Sequence, residues 1–157
     1  GPLIAPKLNE TINKLKADEY EIIHISGHEG ITEENKAYIK ISPTEKLTEN
    51  SIQGISFAGK TIILNACKTG RYEIRKFQET FITKLFDQGT ISVLASITVV
   101  ENKTSIKILA NFIKKIIKDY PTQKAYLESK KALVGNIEEN IPVFSFTLYR
   151  NLTTKTI

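Results

Sequence analysis

The sequence predicts an α/β fold, a three-layer α/β/α sandwich with helices on both faces of a mainly parallel sheet. Three observations carry this. Short, β-branched apolar runs at Tyr20–Ser26, from Thr61, and at Ile91–Ser96 alternate with segments of helical period. Those helical segments are long enough to cross the sheet and return the chain parallel to itself, with the usual right-handed connection. No internal repeat, low-complexity tract or linker divides the 157 residues, a length suited to one domain spanning 1–157 with a real core.

Each element has its own signal. Pro6–Glu19 spaces Leu8, Ile12 and Leu15 by four and three residues and opens near Pro6, as an amphipathic helix does. Tyr20–Ser26 is a buried strand, and Gly27–Asn35 is punctuated by glycines as a loop. Ala37–Ser42 partly alternates apolar and polar residues and predicts a short strand or hairpin arm. Pro43–Lys60 is mixed and is assigned a short helix followed by a loop, anchored by Leu47, Ile52, Ile55 and Phe57. After the central strand, Tyr72–Asp87 sets Ile74, Phe77, Phe81 and Leu85 on one helical face, widened by Ile82 and Phe86, with Gly89 as the stop. Ile91–Ser96 is an apolar strand, and Thr104–Tyr120 repeats the helical period through Ile106, Leu109, Ala110, Ile113 and Ile117 until Pro121 ends it. Thr122–Val134 is a further helix and Pro142–Tyr149 a closing strand.

Composition excludes several classes. No run approaches the ~18 apolar residues of a membrane span, and no charged-then-apolar leader is present. Gly1-Pro2-Leu3 resembles the remnant a protease leaves on removing an expression tag, so it is set aside and the natural chain is expected to extend upstream. The net charge of +5 comes almost wholly from lysines scattered among isoleucines and asparagines, with Arg71, Arg75 and Arg150 the only arginines. A nucleic-acid groove recruits clustered arginine, so these lysines read as solvated surface and a nucleic-acid partner is not expected. The single cysteine forms no internal disulfide and fits a reducing compartment.

That cysteine is where the chemistry concentrates. TIILNACKTG, Thr61–Gly70, is a strand whose tip presents Cys67, and YEIIHISGHEG, Tyr20–Gly30, is a second strand ending in a glycine-flanked His28. Neighbouring parallel strands bring such tips to one sheet edge, where ligands bind in open α/β sheets. A thiol and an imidazole there are a nucleophile and its base. A free thiol titrates near 8.5 and is mostly protonated at neutrality, so it needs help. The first turn of the following helix and a histidine, which exchanges protons near neutrality, both supply it. His24 lies among isoleucines and reads as a packed or supporting residue. Convergence of His24, His28 and Cys67 on a metal is disfavoured, because the short ligand spacings of zinc sites are missing. The chain has no G-x-S-x-G elbow and neither phosphate-cradling glycine loop. The bland alternative for Cys67 is a small buried hydrophobe.

With both tips in view, the chain resembles the caspase-like cysteine peptidases, and within them the bacterial CHAT-domain branch related to separase. The resemblance rests on HISGHEG at His24–Gly30, LNACKTG at Leu64–Gly70, SVLASITVVENKT at Ser92–Thr104 and PVFSFTLYRN at Pro142–Asn151, in the family's order over about Asn9 to Asn151. It implies a caspase-like sandwich that lacks the first core strand or strands before the helix at Pro6–Glu19. It also implies a cytoplasmic thiol protease that hydrolyses peptide bonds in a protein substrate without metal or cofactor. Cys67 corresponds to the nucleophile and His28 to the base, while backbone N–H groups of Cys67, Glu29 and Gly30 form the oxyanion hole. Asn65, two residues before the cysteine, lines the substrate pocket, and its neutral amide settles neither an acidic nor a basic preference. Ala95, Ser96, Ile97 and Thr98 offer backbone hydrogen bonds to an extended substrate.

Such domains are fused to repeat or sensor regions and held inactive until a ligand or partner signals. The missing strands are expected in an upstream portion or a partner chain. The family usually follows its histidine directly with glycine, whereas Glu29 stands between His28 and Gly30 here. That departure favours the alternative, a catalytically silent caspase-like interaction or scaffold module.

Overall fold

The structure is a computed structural model, and it describes residues 7–66, 75–96, 102–132 and 146–151. It is a mixed α/β fold built on a six-stranded, mostly parallel sheet in the order β3-β2-β1-β4-β5-β6. Its strands are β1 (Ile22–Ile31), β2 (Ala37–Lys40), β3 (Lys46–Thr48), β4 (Thr61–Ala66), β5 (Ser92–Ser96) and β6 (Phe146–Arg150). The three core strands β1, β4 and β5 run parallel, whereas β2 and β3 fold back antiparallel on β1. The chain forms two compact units, one holding residues 1–95 and 149–157 and the other residues 96–148.

In the first unit the helix α1 (Leu8–Lys16) forms where the Leu8, Ile12, Leu15 spacing predicts it, with Leu15 buried in the core. Its first N–H, on Leu8, donates to Glu45 Oε2 at 2.6 Å, which satisfies one of the orphan donors of a helix start. The register pairs Ile25 with Leu64 and Leu64 with Ala95, so these three side chains share one face of the sheet. That face is covered by Phe77, Phe81, Ile82 and Leu85. Phe77 closes a short helical stretch from Arg75, Phe81 and Ile82 belong to a π-helical turn at Gln78–Ile82, and Leu85 to α2 (Thr83–Asp87), where the sequence predicts one regular helix. Ile63 and Leu94, which point to the other face, are buried as well. Gly89 stops α2 at φ +93, a left-handed conformation, and a Cβ there would sit 3.2 Å from the Ala58 backbone.

Three expectations are corrected. Gly27–Asn35 is not a loop, because β1 runs on to Ile31 and only 33–35 turn. The strand continues because β2 pairs along it, from His28 opposite Lys40 to Ile31 opposite Ala37. Pro43–Lys60 holds no helix, since β2 draws Lys46–Thr48 into a third strand instead. Lys60 is also not solvated surface: its side chain is 5% exposed, and Nζ donates to the Tyr20 carbonyl at 2.9 Å and pairs with Asp18 at 2.6 Å. The buried ammonium is tolerated because both partners meet it.

The second unit carries α3 (Asn102–Ile116) and α4 (Thr122–Lys131). Among the described side chains of α3, Ile108, Leu109 and Phe112 are buried and Ile106 is exposed, as is Ile117 just beyond it. The predicted stripe through Ile106 and Ile117 is therefore rotated, with bulky Phe112 at its centre. Lys115 Nζ meets Glu128 Oε2 at 2.7 Å, joining α3 to α4. That hydrogen bond raises the lysine pKa and lowers the glutamate one. Tyr72–Ile74, Leu133–Val134 and Pro142–Ser145 lie outside the described residues.

Candidate active site

The site grows from the register of β1 against β4. Their ladder runs from Ile22 opposite Thr61 to Gly27 opposite Ala66. Gly27 immediately precedes His28, and Ala66 immediately precedes Cys67. His28 is thus the residue at which β1 takes up β2, one past the last described pair with β4. It is exposed and lies within the strand, which runs on to Ile31, where the sequence predicts it at the strand's end. Strand alternation puts His24, Ser26 and His28 on one face of β1, and all three are exposed. His24 is therefore not packed among the isoleucines; partial desolvation nonetheless lowers its pKa, which keeps the ring neutral at pH 7.

The ladder phase follows from three bonds. Thr61 N–H donates to the Glu21 carbonyl, Thr32 N–H to Lys36 and Ile41 N–H to Glu45. Odd-numbered residues of β1 consequently turn their backbone groups toward β4, and even-numbered ones toward β2. The Gly30 N–H is spent on the ladder to Tyr38, whereas that of Glu29 is directed to the β4 side. Glu29 itself is buried, at 8% exposure. Asn65 pairs with Ser26 in the register, and its carbonyl accepts from Ser26 Oγ at 3.3 Å. Ala95 is buried opposite Leu64, and Ser96, also buried, ends β5. Both edges of β5 have neighbouring strands, β4 and β6. Cys67, Ile97 and Thr98 lie outside the described residues.

Two glycines shape the ground beneath His28. A Cβ at Gly27 would lie 2.5 Å from the Lys40 carbonyl oxygen and 2.7 Å from Ile39 Cγ2, and one at Gly30 would lie 2.5 Å from the Tyr38 hydroxyl. Gly27→Ala is expected to force β2 off β1 and to cost about 1–3 kcal/mol of stability, as overpacking does. A chemical denaturation midpoint equal to that of the unaltered chain would contradict this.

Beside His28 a cavity of about 420 Å³ opens between Ser26–His28 and Lys40–Pro43. Its one lysine, Lys40, is the direct cross-strand partner of His28. Sequence reasoning misses Lys40 and Tyr38. The alternation in Ala37–Ser42 gives the strand, but only the tight turn closed by Thr32 and Lys36 slides it alongside the histidine. Among the described residues no group of three histidine, aspartate or glutamate side chains is arranged to hold a metal ion.

No curated protein sequence matches the chain. The family model for the CHAT domain does match it, over residues 5–143, a span that takes in β1 with His28, β4 and Cys67. With the mixed sheet, the parallel His and Cys strands and that match together, the chain belongs to the CHAT domain family, a caspase-like family.

Proposed function

We propose that this domain is a cysteine endopeptidase in which Cys67 and His28 form a catalytic dyad. The observation that carries the reading is the register itself: the residues just before the thiol and just before the imidazole are cross-strand partners. On this reading both strands continue by one residue, which makes Cys67 and His28 neighbours.

In the proposed reaction the Cys67 thiol gives its proton to His28, and the sulfur forms a C–S bond to the scissile carbonyl carbon. The C–N bond then breaks as His28 returns the proton to the leaving amine. Water, deprotonated by the same imidazole, releases the acyl group and restores the thiol. Backbone N–H groups of Cys67 and Glu29 stabilise the oxyanion. Gly30 is the weaker donor, since its N–H serves the β2 ladder. Asn65 lines the substrate pocket. The substrate is a protein, met in a bacterial cytoplasm, and an upstream sensor or repeat region or a partner controls access.

The second reading, a catalytically silent interaction module, is favoured by the burial of Glu29 and by the engagement of Gly30 with β2. One titration separates the two. Cys67 is the only cysteine, so iodoacetamide alkylation of the folded chain reports on it alone. An assembled dyad predicts a rate profile with its midpoint well below the ordinary thiol value of about 8.5, moving back up in His28→Ala. A midpoint at the ordinary value, or a thiol that reacts only after unfolding, would reject the peptidase in favour of the silent module.

A further inference from the structure

The positive charge of the chain is concentrated on one pair of helices. Residues 102–132, which hold α3 and α4, carry eight lysines against Asp119 and Glu128, a net +6 where the whole chain carries +5. Lysines that look scattered in the sequence are gathered by the helical period. Lys107, Lys114 and Lys118 follow one another by seven and four residues, which sets them in a stripe on the side of α3 away from buried Phe112. All three are exposed. Beside the stripe stand Ile106 and Ile117, eleven residues or three turns apart, and on α4 Leu127 shares the side away from buried Ala125 and Ser129 with exposed Lys124 and Lys131. Ile117, Ile106 and Leu127 are, in that order, the most exposed large apolar side chains among the described residues.

The seam between the helices is basic as well. A hollow of about 200 Å³ is lined there by Asn111, Lys114, Lys115, Lys118 and Tyr120, and the Tyr120 ring lies 5.0 Å from Lys115 Nζ and 5.1 Å from Lys124 Nζ. Glu128, whose carboxyl is held below its usual range first by the bond to Lys115, also feels Lys124 and Lys131. One glutamate therefore answers several cations. Lys114, Lys118, Lys124 and Lys131 make no ion pair among the described residues.

We infer that the outward face of α3 and α4 docks on the surface of a bilayer rich in anionic headgroups, with the lysines on the headgroup charges and Ile106, Ile117 and Leu127 dipping into the interface. Charge complementarity calls for an anionic partner, and the apolar residues decide which one. A nucleic-acid backbone gains nothing from exposed isoleucine, and its grooves favour arginine, which residues 102–132 lack. A protein partner needs a contiguous apolar centre, whereas Ile106 and Ile117 lie roughly 16 Å apart along the helix, each followed by a lysine. A headgroup layer accepts apolar side chains singly, with cations around them. The contact is peripheral, since neither helix is long and apolar enough to cross a membrane. None of these residues belongs to β1 or β4, so the inference does not depend on the peptidase reading.

The test is co-sedimentation of the chain with vesicles of equal parts phosphatidylserine and phosphatidylcholine. Binding is expected there, absent on phosphatidylcholine alone and weaker as salt rises. Near an anionic leaflet each lysine contributes about fivefold in partition, so the triple variant Lys114→Gln, Lys118→Gln, Lys124→Gln is expected to bind about a hundredfold more weakly. Ile106→Ser with Ile117→Ser is expected to lower vesicle binding about tenfold while leaving retention on heparin, a polyanion with no apolar phase, unchanged. All five positions are exposed, so thermal unfolding of both variants stays at that of the parent.

No binding to the mixed vesicles at low salt would overturn the inference, as would equal binding to phosphatidylcholine alone or a triple lysine variant that binds like the parent. Vesicle binding that the isoleucine changes leave intact would show charge acting without insertion and would overturn it too. Displacement from the vesicles by a DNA duplex would assign the face to nucleic acid and likewise overturn it.

Discussion

If the proposed dyad operates, Cys67→Ala and His28→Ala are each expected to lower peptide-bond cleavage by about a thousandfold or more, with thermal unfolding close to that of the unaltered chain. The size follows from the way nucleophile and base act as a unit, so that losing either removes most of what both contribute. Little change in stability is expected, since His28 is exposed and adds nothing to the core. The measurement is turnover of a peptide library by the full-length, activated protein. Cleavage that persists in either variant rules out the dyad. Equal losses accompanied by a collapse of the fold would not count, so unfolding is followed in parallel.

Phe81→Ala is the other large effect, a loss of about 3–5 kcal/mol, as emptying a buried aromatic site usually brings. Phe81 is fully buried, and its ring stacks on Phe77 at 5.0 Å between centroids and 9° between planes. Both rings belong to the cluster that covers the sheet face formed by Ile25, Ile62 and Leu64 of the two strands leading to His28 and Cys67. Domains of this size are stable by only about 5–15 kcal/mol, so the variant unfolds at markedly lower urea. Phe81→Leu, which keeps most of the volume, is expected to lose far less. A urea midpoint for Phe81→Ala within experimental error of the parent would show that this face is held by other residues.

The two effects sit on different links of one chain of cause. Phe81 and its neighbours fix the height of β1 and β4, and the ladder from Ile22 opposite Thr61 to Gly27 opposite Ala66 fixes their register. The chemistry proposed for His28 depends on that register, because a slip of one residue would turn its ring to the other face. The two close glycines serve the same end. Gly27 lets the Lys40 carbonyl approach at the point where β2 joins β1.

No helix among the described residues is long and apolar enough to cross a membrane.

Much of this was written locally in the chain. The β-branched run at Thr61 gave β4, the spacing of Leu8, Ile12 and Leu15 gave α1, and the apolar run at Ile91 gave β5. The proposal of Cys67 and His28 as a dyad also starts from the sequence, in which each follows a β-rich apolar run. These features depend on which side chains of one segment avoid water, and that is a property of neighbours in sequence. The continuation of β1 through two glycines, the conversion of Lys46–Thr48 into strand, the rotation of the α3 stripe onto Phe112 and the burial of Lys60 were decided elsewhere. Each depends on a partner far along the polymer, with Lys40 opposite His28 and Tyr20 and Asp18 around Lys60. Backbone hydrogen bonds carry no side-chain signature, so only the assembled sheet shows that β1 pairs with β4 along its first half and with β2 from His28 onward.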